Sequence, residues 1–205
     1  MGVDINLVVE QRRSDGWRLV RPRYGRVWYD ARNVRVFTML AGQPIGHPSI
    51  SPCVAVAPPR GWPDDLSAEA RRELGDPWFD IGDREVTDDA AAPEDDDAFG
   101  DSWLDVADFV AFDWDQSVEW TFEVGLDGPP VEITDDVRSA VAEYVRLHGW
   151  APPGWGICRS GGAFELTIER SCRDLAGNFL AVVDEMRALA GADPSSVRCV
   201  FRFSY

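Results

Sequence analysis

The sequence predicts an α+β fold: a single domain on a mainly antiparallel sheet, with about four helices and an acidic loop insertion. Three observations lead there. Alternating apolar residues open the chain and an apolar, strand-like run closes it. Between them lie segments with helical spacing and capping residues. The resulting order, β-β-α-(α)-α-β-α-β-β-α-β, joins too few strands through helices for a doubly wound parallel sheet.

Val3, Ile5, Leu7 and Val9 face one way and Asp4, Asn6 and Glu10 the other, a half-buried strand. Ser14-Asp15-Gly16 is a turn signal, and Trp17 to Arg21 pairs back as a second strand. Asp30 can cap a helix whose Val34, Phe37, Leu40 and Ala41 share a face, closed by Gly42. A proline-rich loop over 43–63 follows, and Ser67 opens a short polar helix ending at Gly75. Residues 76–101 are dense in like charge and read as a flexible insertion. Ser102 with Asp105 has the capping-box spacing for a helix carrying Trp103, Leu104, Ala107, Val110 and Ala111.

Val118, Trp120, Phe122 and Val124 form the clearest strand face. Thr134 caps a helix with Val137, Ala140, Val141, Tyr144 and Val145 inward, stopped by Gly149. Gly161-Gly162 reads as the two-residue turn of a hairpin joining strands at 155–160 and 163–170. One long helix at 174–190 buries Phe179, Val182, Val183, Met186 and Leu189, and Val197 to Tyr205 forms the last strand. In that strand Val200 stands between Arg198 and Arg202, a pattern open to a sheet edge.

The 205 residues are 45% hydrophobic, enough for one core without disulfides or a structural metal. Every one of the 20 basic residues is Arg, which removes lysine nucleophiles, Schiff bases and phosphate-loop lysines from consideration. The net charge of −16 argues against direct nucleic-acid binding. It is unevenly placed: residues 76–115 hold one Arg against 15 acids, and residues 1–75 hold 11 Arg against 8 acids. Eight Arg between Arg12 and Arg35 either form a basic face or balance the acidic stretch. No apolar run is long enough to span a membrane. The start lacks a secretory pattern, so the four cysteines are expected as reduced thiols in a cytoplasmic protein.

Sequence motifs for catalysis are sparse. Cys158-Arg159-Ser160-Gly161-Gly162 lacks the first glycine of a nucleophile elbow. Asp95, Asp97 and Gly100 imitate a calcium loop, but Phe99 and Val106 stand where ligands are required. No C-x-x-C pair exists, and His47 and His148 are the only histidines, so neither a metal nor a cofactor is implied. His148 precedes a helix stop, where a cation is favourable for structural reasons. Polar residues in apolar surroundings remain: Asp4 in the first strand, Arg32-Asn33 at the first helix, and Arg60 beside Trp62. They fit an anion or nucleotide site, or equally an ion pair fixing the proline-rich loop to the sheet.

Several blocks taken together resemble a family of small bacteriophage and actinobacterial proteins that open with M-G-x-D-I. They are Met1-Gly2-Val3-Asp4-Ile5 with Val9-Glu10, Arg32-Asn33 before Phe37, and Pro59-Arg60-Gly61-Trp62-Pro63-Asp64. Ser102-Trp103-Leu104 with Asp113-Trp114, and Asp193-Pro194 with Val197-Arg198, complete the set. The resemblance implies no particular reaction. It points to Asp4, Glu10, Arg32, Asn33, Arg60 and Trp103 as a shared ligand-binding site. Members of the family often carry Cys and His where this chain has Val3 and Asn6, and His before the Ser-Trp pair, so a family metal site would be lost here.

The expectation is therefore a soluble, non-catalytic binding or interaction protein whose partner is another protein, with the acidic stretch as a possible mimic of nucleic acid or simply a solvated loop. The alternative is an enzyme or binder acting on a phosphorylated small molecule or nucleotide through Asp4, Arg32 and Arg60.

Overall fold

The computed structural model describes residues 4–23, 28–29, 33–42, 54–75, 98–126, 132–148, 151–157 and 164–204. Its strands are β1 (Asp4–Arg13), β2 (Gly16–Val20), β3 (Ala98–Asp105), β4 (Ser117–Leu126), β5 (Trp155–Ile157), β6 (Phe164–Ser171) and β7 (Val197–Ser204). Its helices are α1 (Val34–Ala41), α2 (Ala68–Gly75), α3 (Val106–Ala111), α4 (Asp135–His148), α5 (Cys172–Ala176) and α6 (Phe179–Ala190). The strands make two antiparallel sheets, β2-β1-β7-β3 and β5-β4-β6, so the fold is α+β. No helix among the described residues is long and apolar enough to cross a membrane.

Both faces of the four-stranded sheet are covered in part. Ile5, Leu7, Val9, Leu104, Cys199, Phe201 and Phe203 point to a core closed by α1, α3 and α6. Burial of each such side chain contributes about 1.5–3 kcal/mol. Alternation sends Val8, Glu10, Arg198 and Val200 to the opposite face, where Leu66, Ala70 and Leu74 pack over Val8 and Val200. Thus β1 is buried on both sides over Leu7–Glu10, more than a half-buried strand requires. The three-stranded sheet packs Val124, Phe164, Leu166 and Ile168 against Val141 and Val145 of α4. Its other face is exposed.

Local chemistry explains several boundaries. Asn33 accepts from the backbone N–H groups of Arg35 and Val36, and Gly42 ends α1 in the left-handed region at φ 68°. The Asn33 cap replaces the one expected at Asp30, which lies outside the described residues. Ser67 Oγ accepts from Ala70 N at the start of α2, as its position predicts. Thr134 Oγ accepts from Val137 N at 3.4 Å at the start of α4.

Several expectations are corrected. Residues 98–105 are strand, not the end of an insertion and the start of a helix, while 76–97 lie outside the described residues. The capping box is Asp105 with Asp108, one turn later than Ser102 with Asp105, because Trp103 and Leu104 gain more by pairing with Val200 and Cys199 of β7. A bulge between Phe99 and Ser102 accommodates this strand. Gly100 sits there at φ 67°, and a Cβ on it would lie 2.8 Å from Phe203 Cδ2, so only glycine fits.

The second correction concerns β5 and β6, which do not pair with each other. Each pairs with β4, one on either side, so no two-residue hairpin joins them. Gly161-Gly162 itself lies outside the described residues. Third, the long helix is two, α5 and α6, separated at Gly177 with φ 54°. Fourth, β7 is central, between β1 and β3, and offers no edge. Ala140 is exposed and Ala142 packs in its place.

Candidate binding cleft

The uncovered end of the second sheet face carries an alternating ladder of arginine and tryptophan. Register places Arg12 opposite Trp17, Glu10 opposite both Leu19 and Arg198, and Arg198 opposite Asp105. The Arg198 guanidinium carbon lies 4.0 Å from the Trp17 ring centre and 5.7 Å from that of Trp103. Arg12 stands 5.1 Å from Trp17, and Arg60 4.6 Å from Trp103. Arg71 and Arg202 lie over Trp62, each at 5.5 Å. Such contacts are electrostatic, cation over ring quadrupole, and grow stronger when water is excluded.

Ion pairs hold the ladder in place. Arg198 Nε donates to Glu10 Oε2 at 2.8 Å, with both side chains fully or nearly fully buried. Glu10 Oε1 accepts from Ser67 N at 2.9 Å, so one carboxylate ties β1, β7 and the entry to α2 together. Arg198 also donates to Asp65 Oδ1 at 2.6 Å and to the Asp65 carbonyl at 3.1 Å. Trp17 Nε1 donates to Asp65 Oδ2 at 2.9 Å. Burial alone would raise the Asp65 carboxyl, but hydrogen bonds and charge from Arg198, with the Trp17 bond, hold it below its ordinary value.

Arg60 makes a two-pronged pair with Asp108, both bonds at 2.6 Å, and its backbone N donates to Ser102 Oγ at 2.9 Å. The bonds to Asp108 push the Arg60 guanidinium further up, against its partial burial. The segment around Arg60 is thereby fixed to β3 and α3. Between it and the sheet lies a cleft of about 660 Å³ lined by Arg12, Trp17, Arg60, Trp62, Trp103 and Arg198, with Asp64, Asp65, Asp105 and Ser195 among them. That volume is in the range of sites for small molecules or short peptide segments. Trp62 Nε1 is buried without an acceptor.

No family model, curated protein or solved structure matches this chain. The chemistry of the cleft is accordingly read from its own side chains. Its arginines are mostly engaged by carboxylates, and its carboxylates serve as acceptors for Arg, Trp and backbone donors. Among the described residues no group of three or more His, Cys, Asp or Glu is placed to hold a metal. Cys172 and Cys199 are free, buried thiols, and burial pushes Cys199 up to about 12, which leaves it inert as a nucleophile.

Of the six residues singled out from the sequence, the structure gathers Glu10, Arg60 and Trp103. Asn33 is a helix cap on the opposite side of the sheet. Asp4 pairs with Ser204 at the far end of β1. Four residues along the strands and two strands across separate it from Trp103, roughly 16 Å of sheet. Arg32 and His47 lie outside the described residues. Asp4 and Arg60 therefore do not form one anion site; Arg60 pairs instead with Asp108, and Glu10 with Arg198. His148 is at the end of α4, its ring 4.2 Å from that of Tyr144.

Sequence reasoning missed Trp17, Asp65, Asp108 and the role of Arg198. One signal was present for Arg198: an arginine alternating with Val197, Cys199 and Val200 in an otherwise apolar run must face something polar. Its partner Glu10 is 188 residues away, which no local pattern reveals. Of the arginines near the start, Arg21 pairs with Glu73, and Arg18 pairs with Asp15 and lies 3.7 Å from Glu69.

A second charged feature lies on the exposed face of the three-stranded sheet. Glu119 is directly opposite Glu169, and Glu123 directly opposite Glu165. Thr121 and Thr167 sit between the pairs, their hydroxyls 2.9 Å apart. All four glutamates are exposed.

Proposed function

We propose that this chain is a non-catalytic interaction protein that recognises another protein through the arginine–tryptophan cleft. One observation carries the reading: Trp17, Trp62 and Trp103 alternate with Arg12, Arg60 and Arg198 around an open cleft. Trp and Arg are the residue types that dominate binding energy at protein interfaces, because each combines a large contact area with directional polar groups. The ladder is also partly preorganised, since ion pairs already fix the Arg60 and Arg198 guanidiniums, so little of their side-chain freedom is lost on docking. The resemblance to phage and actinobacterial proteins implies no particular reaction.

Photo-cross-linking from single positions tests this. A benzophenone side chain in place of Asp64, at the cleft rim, is expected to capture a discrete partner in extracts of the source cell. The same group in place of Glu165, on the second sheet, is expected to capture far less. Equal capture from both positions, or capture from Glu165 alone, would remove the cleft as the recognition surface.

A further inference from the structure

We infer, building on that reading of the cleft, that Asp65 is its positioning residue: it sets the Trp17 ring for recognition, while the fold stands without it. Trp17 sits half-buried on β2, an edge strand of its sheet, with Arg12 and Arg198 as ring neighbours. Contacts over a ring face say little about where the edge of the ring points, whereas a hydrogen bond fixes it. The Trp17 indole N–H donates to Asp65 Oδ2 at 2.9 Å, and Asp65 is its only acceptor among the described residues. The other oxygen, Oδ1, accepts from Arg198 at 2.6 Å. One carboxylate thus holds both the ring edge and the guanidinium that lies 4.0 Å from the ring centre.

The fold has other ties at this point. Arg198 keeps Glu10 Oε2 at 2.8 Å as a buried counter-ion. The Asp65 backbone carbonyl also accepts from Arg198, at 3.1 Å, and Ser67 N donates to Glu10 at 2.9 Å. The chain entering α2 is therefore held by bonds in which the Asp65 side chain takes no part. That side chain is 60% exposed, so its removal uncovers no core and its ion pair contributes little to stability. Trp17 has no second tie: without Asp65 its N–H turns to water, and its ring must be ordered again when a partner docks, which weakens binding. Of the two carboxylates on Arg198, Glu10 serves the fold and Asp65 serves the cleft.

The test titrates three variants with the partner captured by the cross-link at position 64: Asp65→Ala, Trp17→Phe, which keeps a ring but has no N–H, and the two combined. Each single change is expected to weaken binding by about three- to ten-fold. The double variant should bind no more weakly than Trp17→Phe alone, because Asp65 acts through the Trp17 N–H. In Asp65→Ala the Tm should fall by at most about 4 °C. Its Trp17 indole N–H should exchange faster with solvent by NMR, while those of Trp62 and Trp103 keep their rates. Additive losses would overturn the inference, since Asp65 would then touch the partner itself. A larger fall in Tm would make the carboxylate structural, and an unchanged Trp17 exchange rate would make it idle; either result overturns the inference. Binding lost in Trp17→Ala and Trp103→Ala but kept in Asp65→Ala would overturn it while leaving the cleft as the recognition surface. Binding kept in both tryptophan variants, or no partner captured at all, would remove the cleft and the inference with it.

Discussion

On the outer face of the four-stranded sheet Arg60, Arg198 and Arg202 each lie beside a carboxylate, whereas on the outer face of the three-stranded sheet four glutamates are set directly against one another. In the first arrangement the Glu10–Arg198 pair is buried, the second is open to water, and this difference decides what each can tolerate. Opposed glutamates repel across about 5 Å, a cost that solvent keeps to a fraction of a kcal/mol per pair. Under the ladder the same repulsion would be prohibitive, because Glu10 and Arg198 are out of reach of water. Covered charge in this protein is therefore structural, and it shapes a cleft. Exposed charge adds to the long-range field without organising anything close by.

The comparison breaks most visibly at Arg198. Arg198→Met leaves the Glu10 carboxylate buried without its cation, and the expected loss is about 3–5 kcal/mol in denaturant unfolding. Replacing Glu10 with Met as well should recover part of it, since no bare charge then remains. A loss below about 1 kcal/mol for the single change would mean that the pair is not buried as described.

Gly100→Ala sharpens the same region. The bulge needs a left-handed backbone, and the new methyl would press on Phe203. A loss of about 1–3 kcal/mol is expected, read as a lower midpoint with an unchanged denaturant slope. The opposite sign is expected on the other sheet. Glu123→Lys turns a repulsive cross-strand pair with Glu165 into an attractive one. It should stabilise by about 0.2–1 kcal/mol, raising Tm by up to roughly 4 °C, with the gain shrinking as salt is added.

The smallest effect is pH dependence at Asp65. Its carboxyl is lowered in the fold, so the stability it contributes is present above the unfolded value near about 3.9 and is lost as pH falls through the lowered one. With its side chain 60% exposed, screening keeps the contribution small. Asp65→Asn should lower stability slightly and evenly near neutrality and flatten the profile at its acid end, and a change of slope near neutrality would contradict the assignment.

These contrasts also show what the chain discloses in advance. β1 is legible because Val3, Ile5, Leu7 and Val9 alternate, β7 because it is an apolar run, and α4 because Thr134 caps a periodic apolar face. β3 is concealed because Ser102 and Asp105 have the spacing of a helix start, and only pairing with β7 overrules it. The order β5-β4-β6 is hidden for a similar reason, since adjacency in sequence suggests a hairpin that the sheet does not use. Within the cleft, Arg60 stands out by its place beside Trp62, whereas Glu10 and Trp103 are singled out only through the resemblance. Asp65 and Asp108 do not, since an aspartate beside a loop or a helix start is ordinary until its arginine is known. The acidic face of β4 and β6 needs the register, which brings Glu119 to Glu169 and Glu123 to Glu165.

Following the protein's NMR signals as the cross-linked partner, once isolated, is added tests the assignment of recognition to the arginine–tryptophan cleft most directly. The indole N–H signals of Trp17, Trp62 and Trp103 should move with partner concentration, while the backbone signals of Glu119, Glu123, Glu165 and Glu169 stay in place. Shifts centred on those four glutamates, with the indole signals unmoved, would assign recognition to the wrong sheet.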